Sequence, residues 1–440
     1  MFRLWLVFLL LGGNGLHLVA QAPSATRFGL EEAVDYARQN APALRAERTA
    51  VEAARLNNEL ALAAWRPQVS VSGNLQHYFK LPVSLFPDFD DPESGELREV
   101  TLGPVNTSLL SGNVRQTIYS PAVVRALRAV DPSLRLAELT LREAEINLSA
   151  EVQRAYYLAV RQQERIRLLI ADVERLERSL RDARLLYEEG IKDKVDYKRA
   201  QIALNTARTQ LANARIARTT RTAELGRLLG YPATGTVELR YDTAQLATVF
   251  ERPLPAPGRR IEERRISARD TLLGVTERFQ RQSWLPAVEV SGTHNIVWQN
   301  NALSDLYRRT FPNTLGTLSF QMPLFRGGAR FKELALTEVE RHRLSLELAA
   351  LRDRISLEYT TAYNAFERAR NDYRAARANL DLAAEIYRVV DLQYREGIKP
   401  YLEVVIAETD LQRARLNRTD ALLAALIARV AVERAAGTIR

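Results

Sequence analysis

The sequence predicts a mainly α-helical fold with a small β part, internally duplicated and dominated by long coiled-coil hairpins. Three observations predict it. A strand motif occurs twice: Trp65-Arg66-Pro67-Gln68-Val69-Ser70-Val71-Ser72-Gly73 returns as Trp284-Leu285-Pro286-Ala287-Val288-Glu289-Val290-Ser291-Gly292. A turn motif also occurs twice, Tyr187-Glu188-Glu189-Gly190-Ile191-Lys192 and Tyr394-Arg395-Glu396-Gly397-Ile398-Lys399, and the register then holds, Ala200 with Ala407, Leu204 with Leu411 and Gly230 with Gly437. Between the two motifs, apolar residues recur every seven positions over a span far longer than an ordinary helix. A constant offset across a whole helix–turn–helix is a duplication, and it sets the fold before any single residue does.

The chain opens with Arg3, the apolar run Leu4 to Leu11, and small residues ending at Ala20 or Ala22. This reads as a secretory signal, with cleavage after Ala20 because a cut after Ala22 would leave Pro23 at the new terminus. The alternative, a membrane anchor, is disfavoured by a run shorter than the roughly 20 residues a span needs. A helix is expected from Leu30 to Ala64. After Trp65 the residues alternate, with Val69, Val71, Leu75 and Phe79 opposite Ser70, Ser72, Asn74 and Gln76. After Trp284, Val288, Val290, Ile296 and Trp298 oppose Glu289, Ser291, Thr293 and Asn295. Period two with one apolar face is the strand signature. Each strand has an expected partner, Leu110, Val114 and Ile118 in one half and Leu318, Phe320, Met322 and Leu324 in the other. Polar loops intervene, Lys80 to Thr107 (with Asp88, Asp90, Asp91 and Glu93) and Gln299 to Pro312.

Long helices follow, from about Ala122 to Tyr187 and Arg330 to Tyr394. In the first, Leu141, Leu148, Ala155, Leu169, Leu176 and Ala183 form one seven-residue row, broken by Gln162, beside Val152, Ala159, Ile166, Val173, Leu180 and Tyr187. In the second, Ile355, Ala362, Ala369, Ala376, Ala383 and Val390 run beside Tyr359, Phe366, Tyr373, Leu380, Tyr387 and Tyr394. A sustained heptad makes a left-handed coiled coil, and each helix should be about 100 Å long at 1.5 Å per residue. The aromatic positions read as seam packing, not a substrate path. Ser120-Pro121 suits a helix start, and Pro132 should kink the first helix. Gly190 and Gly397 are expected to cap these helices. Returning helices should run from about Val195 to Leu229 and Tyr401 to Ala436. Residues 231–258, with Pro253, Pro255 and Pro257, read as a connector, followed by a helix from Ile261 to Gln282.

The organisation is therefore a signal over 1–20, a first repeat over 21–230, the connector over 231–258 and a second repeat over 259–440. Of the 440 residues none is cysteine, which excludes disulfides, thiolate metal sites and an acylated N-terminal cysteine. His17, His77, His294 and His342 lack ligand spacing, so no metal or cofactor is expected. The net charge of +9 does not point to nucleic acid, because Arg and Glu alternate along the helices as on a solvated face. No nucleophile motif, clustered histidine or phosphate loop is present, and no enzyme is expected.

Four strands cannot close a barrel, and open edges are not tolerated in lipid. Three copies would supply twelve strands, enough to enclose an aqueous lumen, with Val69, Val71, Leu75, Val288, Val290 and Ile296 toward lipid and the helices continuing as a hollow cylinder. The paired Trp-x-Pro strands, the stretch Pro323-Leu324-Phe325-Arg326-Gly327-Gly328, and the Tyr-x-x-Gly-Ile turns followed by Asp196 or Glu403 resemble the TolC-like outer-membrane efflux proteins. The resemblance covers nearly the whole chain beyond the signal. Tyr119-Ser120-Pro121 departs from it where the second half has the glycine pair, as does the basic helix carrying Arg264, Arg265 and Arg269.

The resemblance implies a homotrimer in the outer membrane, a tunnel through the periplasm, and docking to a periplasmic adaptor and an inner-membrane pump in tripartite efflux or type I secretion. It implies that Gly190, Ile191, Lys192, Gly397, Ile398 and Lys399 contact the adaptor, though capping alone would also explain the glycines. It also implies an acidic tunnel narrowing, for which Asp381, Glu385 and Asp391 are candidates by position, against a solvated helix face. A periplasmic coiled-coil adaptor is the alternative function, disfavoured because the strand unit is duplicated.

Overall fold

The structure is a computed structural model describing residues 26–87, 97–191, 193–232 and 237–439. The signal segment, Asp88, Asp90, Asp91, Glu93 and Lys192 lie outside the described residues. In chain order the elements are β1 (Thr26–Phe28), α1 (Leu30–Asn40), α2 (Pro42–Ala63), β2 (Gln68–His77), β3 (Val83–Pro87), β4 (Leu97–Thr101), β5 (Asn106–Tyr119) and α3 (Pro121–Glu188). Then come α4 (Lys194–Leu229), β6 (Val237–Leu239), α5 (Thr243–Glu251), α6 (Ile261–Gln282), β7 (Ala287–Asn300), a 3-10 helix (Leu303–Arg308), β8 (Thr310–Gln321), α7 (Ala329–Arg395) and α8 (Tyr401–Ala436). The chain forms two compact units, each drawing on both copies of the repeat: residues 1–45, 144–258 and 357–440, and residues 46–143 and 259–356.

The second of these holds β2 to β5, β7 and β8. The two strand pairs join into one antiparallel sheet of order β2-β5-β7-β8, so β5 and β7 pair across the repeats. The loop after β2 is not structureless, since β3 and β4 form a hairpin within it. Met322 and Leu324, expected in the last strand, lie beyond its end at Gln321. Pro323 follows there and has no N–H to offer a ladder. Phe79 likewise falls past the end of β2 and is almost wholly exposed.

The other unit is helical apart from the short strands β1 and β6. On α3, Leu148, Val152, Ala159, Ile166, Leu169, Leu176 and Ala183 are buried, as the heptad requires. Ile166 and Leu169 pack with Leu211 and Ala214 of α4, and Leu176 with Leu204 and Ala207. Each buried leucine or isoleucine contributes about 1.5–3 kcal/mol, which the short periodicity of a single turn could not. Gln162, which breaks the row, donates to the Ala214 carbonyl at 3.0 Å. Helix α3 continues through Pro132, and Ala122 N–H reaches Ser120 Oγ at 3.3 Å at its start.

The helix expected from Leu30 to Ala64 is two helices, parted at Ala41 with φ −58° and ψ 126°. Pro42 is the cause, because a proline disfavours helical backbone in the residue before it. The break delivers the Asn40 carbonyl to Gly230, where a Cβ would sit 2.6 Å from that oxygen. The connector also carries structure. Its β6 pairs in parallel with β1, and α5 places Phe250 against Phe366 and Tyr373 of α7, with ring centroids 5.9 and 5.0 Å apart. Tyr359 Oη donates to the Pro255 carbonyl at 3.2 Å. These aromatics are packing, but against the connector, where the sequence placed them in a coiled-coil seam.

Candidate channel wall and hairpin ends

The sheet register decides which strand residues share a face, because directly paired residues project the same way. Val69 pairs with Val114 and Val71 with Gly112. Gly112 pairs with His294, Leu110 with Ile296 and Gln116 with Val290. Leu318 and Phe320 pair with Val290 and Val288. Val69, Val71, Leu75, Val288, Val290 and Ile296 therefore lie on one face, with Leu110, Val114, Trp298, Leu318 and Phe320. Val69 and Val71 are each 72% exposed. The face is not wholly apolar: its middle row, Val71-Gly112-His294-Thr314, carries a histidine whose Nδ1 lies 2.7 Å from Thr314 Oγ1.

The opposite face carries a ladder of hydroxyls and carboxamides, beside one apolar row, Leu109-Val297-Phe311, and Leu315. Ser111 Oγ donates to Asn295 Oδ1 at 2.5 Å, Asn295 Nδ2 to Asn313 Oδ1 at 2.9 Å, and Thr293 Oγ1 to Asn113 Oδ1 at 2.9 Å. Arg115 Nε meets Glu289 Oε1 at 3.1 Å. Cross-strand partners satisfy these polar groups laterally, leaving a face that water can wet.

At the hairpin ends, Gly190 and Gly397 hold φ +74° and +76°. Gly190 N–H donates to the Tyr187 carbonyl and Ile191 N–H to that of Leu186, at 3.0 and 2.9 Å. Gly397 and Ile398 repeat the pattern with Tyr394 and Gln393, at 3.0 and 2.8 Å. This is the Schellman motif in both copies, which requires a left-handed residue where glycine stands. It fixes the next residue outward, and Ile191 and Ile398 are 61% and 71% exposed. Lys399 Nζ pairs with Glu403 at 3.7 Å. Behind the turns, Tyr187 packs on Tyr197 and Tyr394 on Tyr401, at 5.3 and 5.6 Å.

The three acidic candidates differ in their surroundings. Asp381 and Glu385 are exposed, whereas Asp391 is half-buried and paired with Arg395 at 2.9 Å. A reading of all the mixed charge as solvated missed a buried group. Asp172 and Glu408, 8% and 6% exposed, both meet the guanidinium of Arg175. Their places beside the seam residues Val173 and Ala407 were the available signal.

With that geometry in view, the family comparison is decisive: the model of outer membrane efflux proteins matches residues 33–231 and 277–438. The chain belongs to the outer membrane efflux protein family. Protein CyaE of Bordetella pertussis is 26% identical over 418 residues, covering 88% of this chain and 79% of that protein. Among solved structures, CusC superposes with a TM-score of 0.71 at 16% identity, covering 93% of this chain and 92% of its own. VceC, an outer-membrane protein of Vibrio cholerae, does so with 0.66 at 15% identity, covering 93% and 96%. This efflux protein thus has the fold of outer-membrane channels, and its solved neighbours are channel proteins rather than enzymes.

Proposed function

We propose that this efflux protein is the passive exit duct of a tripartite efflux or type I secretion system. In this reading three copies close a twelve-stranded barrel in the outer membrane, and their hairpins form a tunnel in the periplasm. The repeats are 21–230 and 259–440, joined by 231–258, after a signal over 1–20. The observation that carries the reading is the division of the sheet into an apolar and a hydrogen-bonded polar face. On the apolar face, the Tyr119-Val288-Phe320 row and the row of Trp298 bound the band. Ten residues separate Val288 from Trp298. At roughly 3.4 Å per residue and a tilt of about 40°, this gives a height of about 26 Å, close to the apolar band of outer-membrane barrels.

The strands β2 and β8 are open edges in one chain, and neighbouring copies would pair them. Copies would also cover the exposed stripes Leu382, Ile386 and Val389 on α7 and Val195, Ile202 and Ile216 on α4. Asp381 and Glu385 flank the α7 stripe and are the better placed candidates for an acidic narrowing, Asp391 being engaged by Arg395. At the hairpin ends, Gly190, Ile191, Lys192, Gly397, Ile398 and Lys399 would meet a periplasmic adaptor that links the duct to an inner-membrane pump. Isolation of the protein from outer membranes in mild detergent should yield a trimer. A soluble periplasmic monomer would overturn the reading, since the lone sheet has unpaired edges.

A further inference from the structure

The two hairpins of the helical unit meet where α8 packs against α3 and α4, with Ala200 of α4 in the shared apolar cluster, and their seam changes character along its length. Near the turns it is apolar, with Ala183 of α3, Val390 of α7, and Tyr401, Val404 and Ala407 of α8 in one cluster. Farther along, Asp172 and Arg175 of α3 face Glu408 of α8. Arg175 Nη2 meets Asp172 Oδ1 and Arg175 Nη1 meets Glu408 Oε1. Both carboxylates are more than nine-tenths buried, so one guanidinium serves two buried negative charges. Asp391 and the Tyr387 hydroxyl of α7 lie close enough to act on Glu408 and Arg175. On α8, Tyr401 is held by Ser179 of α3. A cavity of about 370 Å³ opens beside the cluster, lined by Arg165 of α3, by Thr206 and Gln210 of α4, and by Gln412 and Arg413 of α8. Arg165 and Arg413 are exposed at its open side, and α4 contributes no charged group to it.

We propose that Asp172, Arg175 and Glu408 form a proton-held clasp between the two hairpins, in which the packed seam takes up a proton that a parted seam releases. Buried charge is tolerated when it is neutralised, and here two buried carboxylates meet one guanidinium, Arg165 and Arg413 being exposed to water. A proton on Glu408 offsets the second negative charge, and the cavity gives water a route to deliver it. Burial holds the Glu408 carboxyl above the ordinary glutamate range, and Asp172 and Asp391 push the same way against the opposing effect of Arg175. In a parted seam the carboxyl meets water and returns to its ordinary value. The packed state then binds the proton more tightly, so packing is favoured as the pH falls through that raised range and weakened as it rises above it. Acid tightens the seam.

The clasp does not depend on the channel reading, and its test reads the seam itself. In the purified protein, amide hydrogen exchange is followed in α8 residues 401–412 and α3 residues 172–183 at about pH 4.5, close to the ordinary glutamate value, and at about pH 8, well above it. Rates are corrected for the intrinsic pH dependence of exchange. The seam should exchange several-fold more slowly at the lower pH, while the α3–α4 cluster around Ile166 and Leu211 should not change. Glu408→Gln keeps a hydrogen-bonding side chain without the charge and should leave the seam protected at both pH values. Asp172→Asn restores one carboxylate per guanidinium and should shrink the difference as well. Equal wild-type protection at both pH values overturns the clasp, as does a full wild-type difference in Glu408→Gln. If either variant fails to fold, the wild-type comparison and the other variant decide.

Discussion

Arginine at Val71 should damage assembly far more than arginine at its sequence neighbour Ser72, and more than arginine at Val290. The ordering follows from the register. Val71 lies in the row Gly112-His294-Thr314, six residues along β7 from Val288 and four from Trp298. It is therefore near mid-height of the apolar band, where an arginine facing lipid costs about 2–4 kcal/mol. Val290 faces the same way but is two residues from the aromatic row of Val288, roughly 5 Å in height by the strand rise. Near the interface the same substitution costs about 0–1 kcal/mol. Ser72 pairs with Ser111 on the hydrogen-bonded face, where a guanidinium keeps its water. The measurement is equilibrium folding into liposomes with denaturant, read as the midpoint shift and as the yield of trimer. The expected order of loss is Val71→Arg, then Val290→Arg, then Ser72→Arg. Equal losses at Val71 and Ser72 would show that the apolar face does not meet lipid. Equal losses at Val71 and Val290 would refute the assigned height.

Three further outcomes are expected. Gly230→Ala should destabilise more than Gly190→Ala by thermal unfolding. Both pay about 1–2 kcal/mol for positive φ, but only at Gly230 does the new methyl meet backbone, the Asn40 carbonyl at 2.6 Å. Ile191→Asp combined with Ile398→Asp should leave trimers in the outer membrane yet fail to restore efflux in a deletion strain; full transport with normal adaptor crosslinking would reduce the turns to caps. Arg429→Met should loosen the connector, since Arg429 is buried and donates to the carbonyls of Arg252 and Pro253 at 2.7 and 3.3 Å. Charged hydrogen bonds are worth about 1.5–3 kcal/mol each, so limited proteolysis within residues 252–258 should accelerate; an unchanged cleavage rate would mean the connector is held elsewhere.

The heptad rows, the glycine turns and the alternating strands were legible because each is a local, periodic constraint. A coiled-coil seam must repeat to stay on its partner, and the capping glycines must adopt a backbone that few other residues reach. The apolar set Val69, Val71, Leu75, Val288, Val290 and Ile296 could be read for the same reason: side-chain direction alternates with period two. Tertiary structure alone decided that β5 and β7 pair across the repeats, because two strand pairs with equal alternation do not state which edge meets which. It also decided the pairing of β1 with β6. Strands of three residues are too short to show a period, and their stability comes from the helices that cover them. The split between α1 and α2 was written in Pro42, but its use, bringing the Asn40 carbonyl against Gly230, depends on a helix nearly two hundred residues away in sequence. Asp172 and Glu408 show the limit most sharply. Their identity as charged residues is in the sequence, and the same residue types on a helix are ordinarily solvated. Only the packing of a second hairpin against the first removes their water and leaves two carboxylates to one arginine.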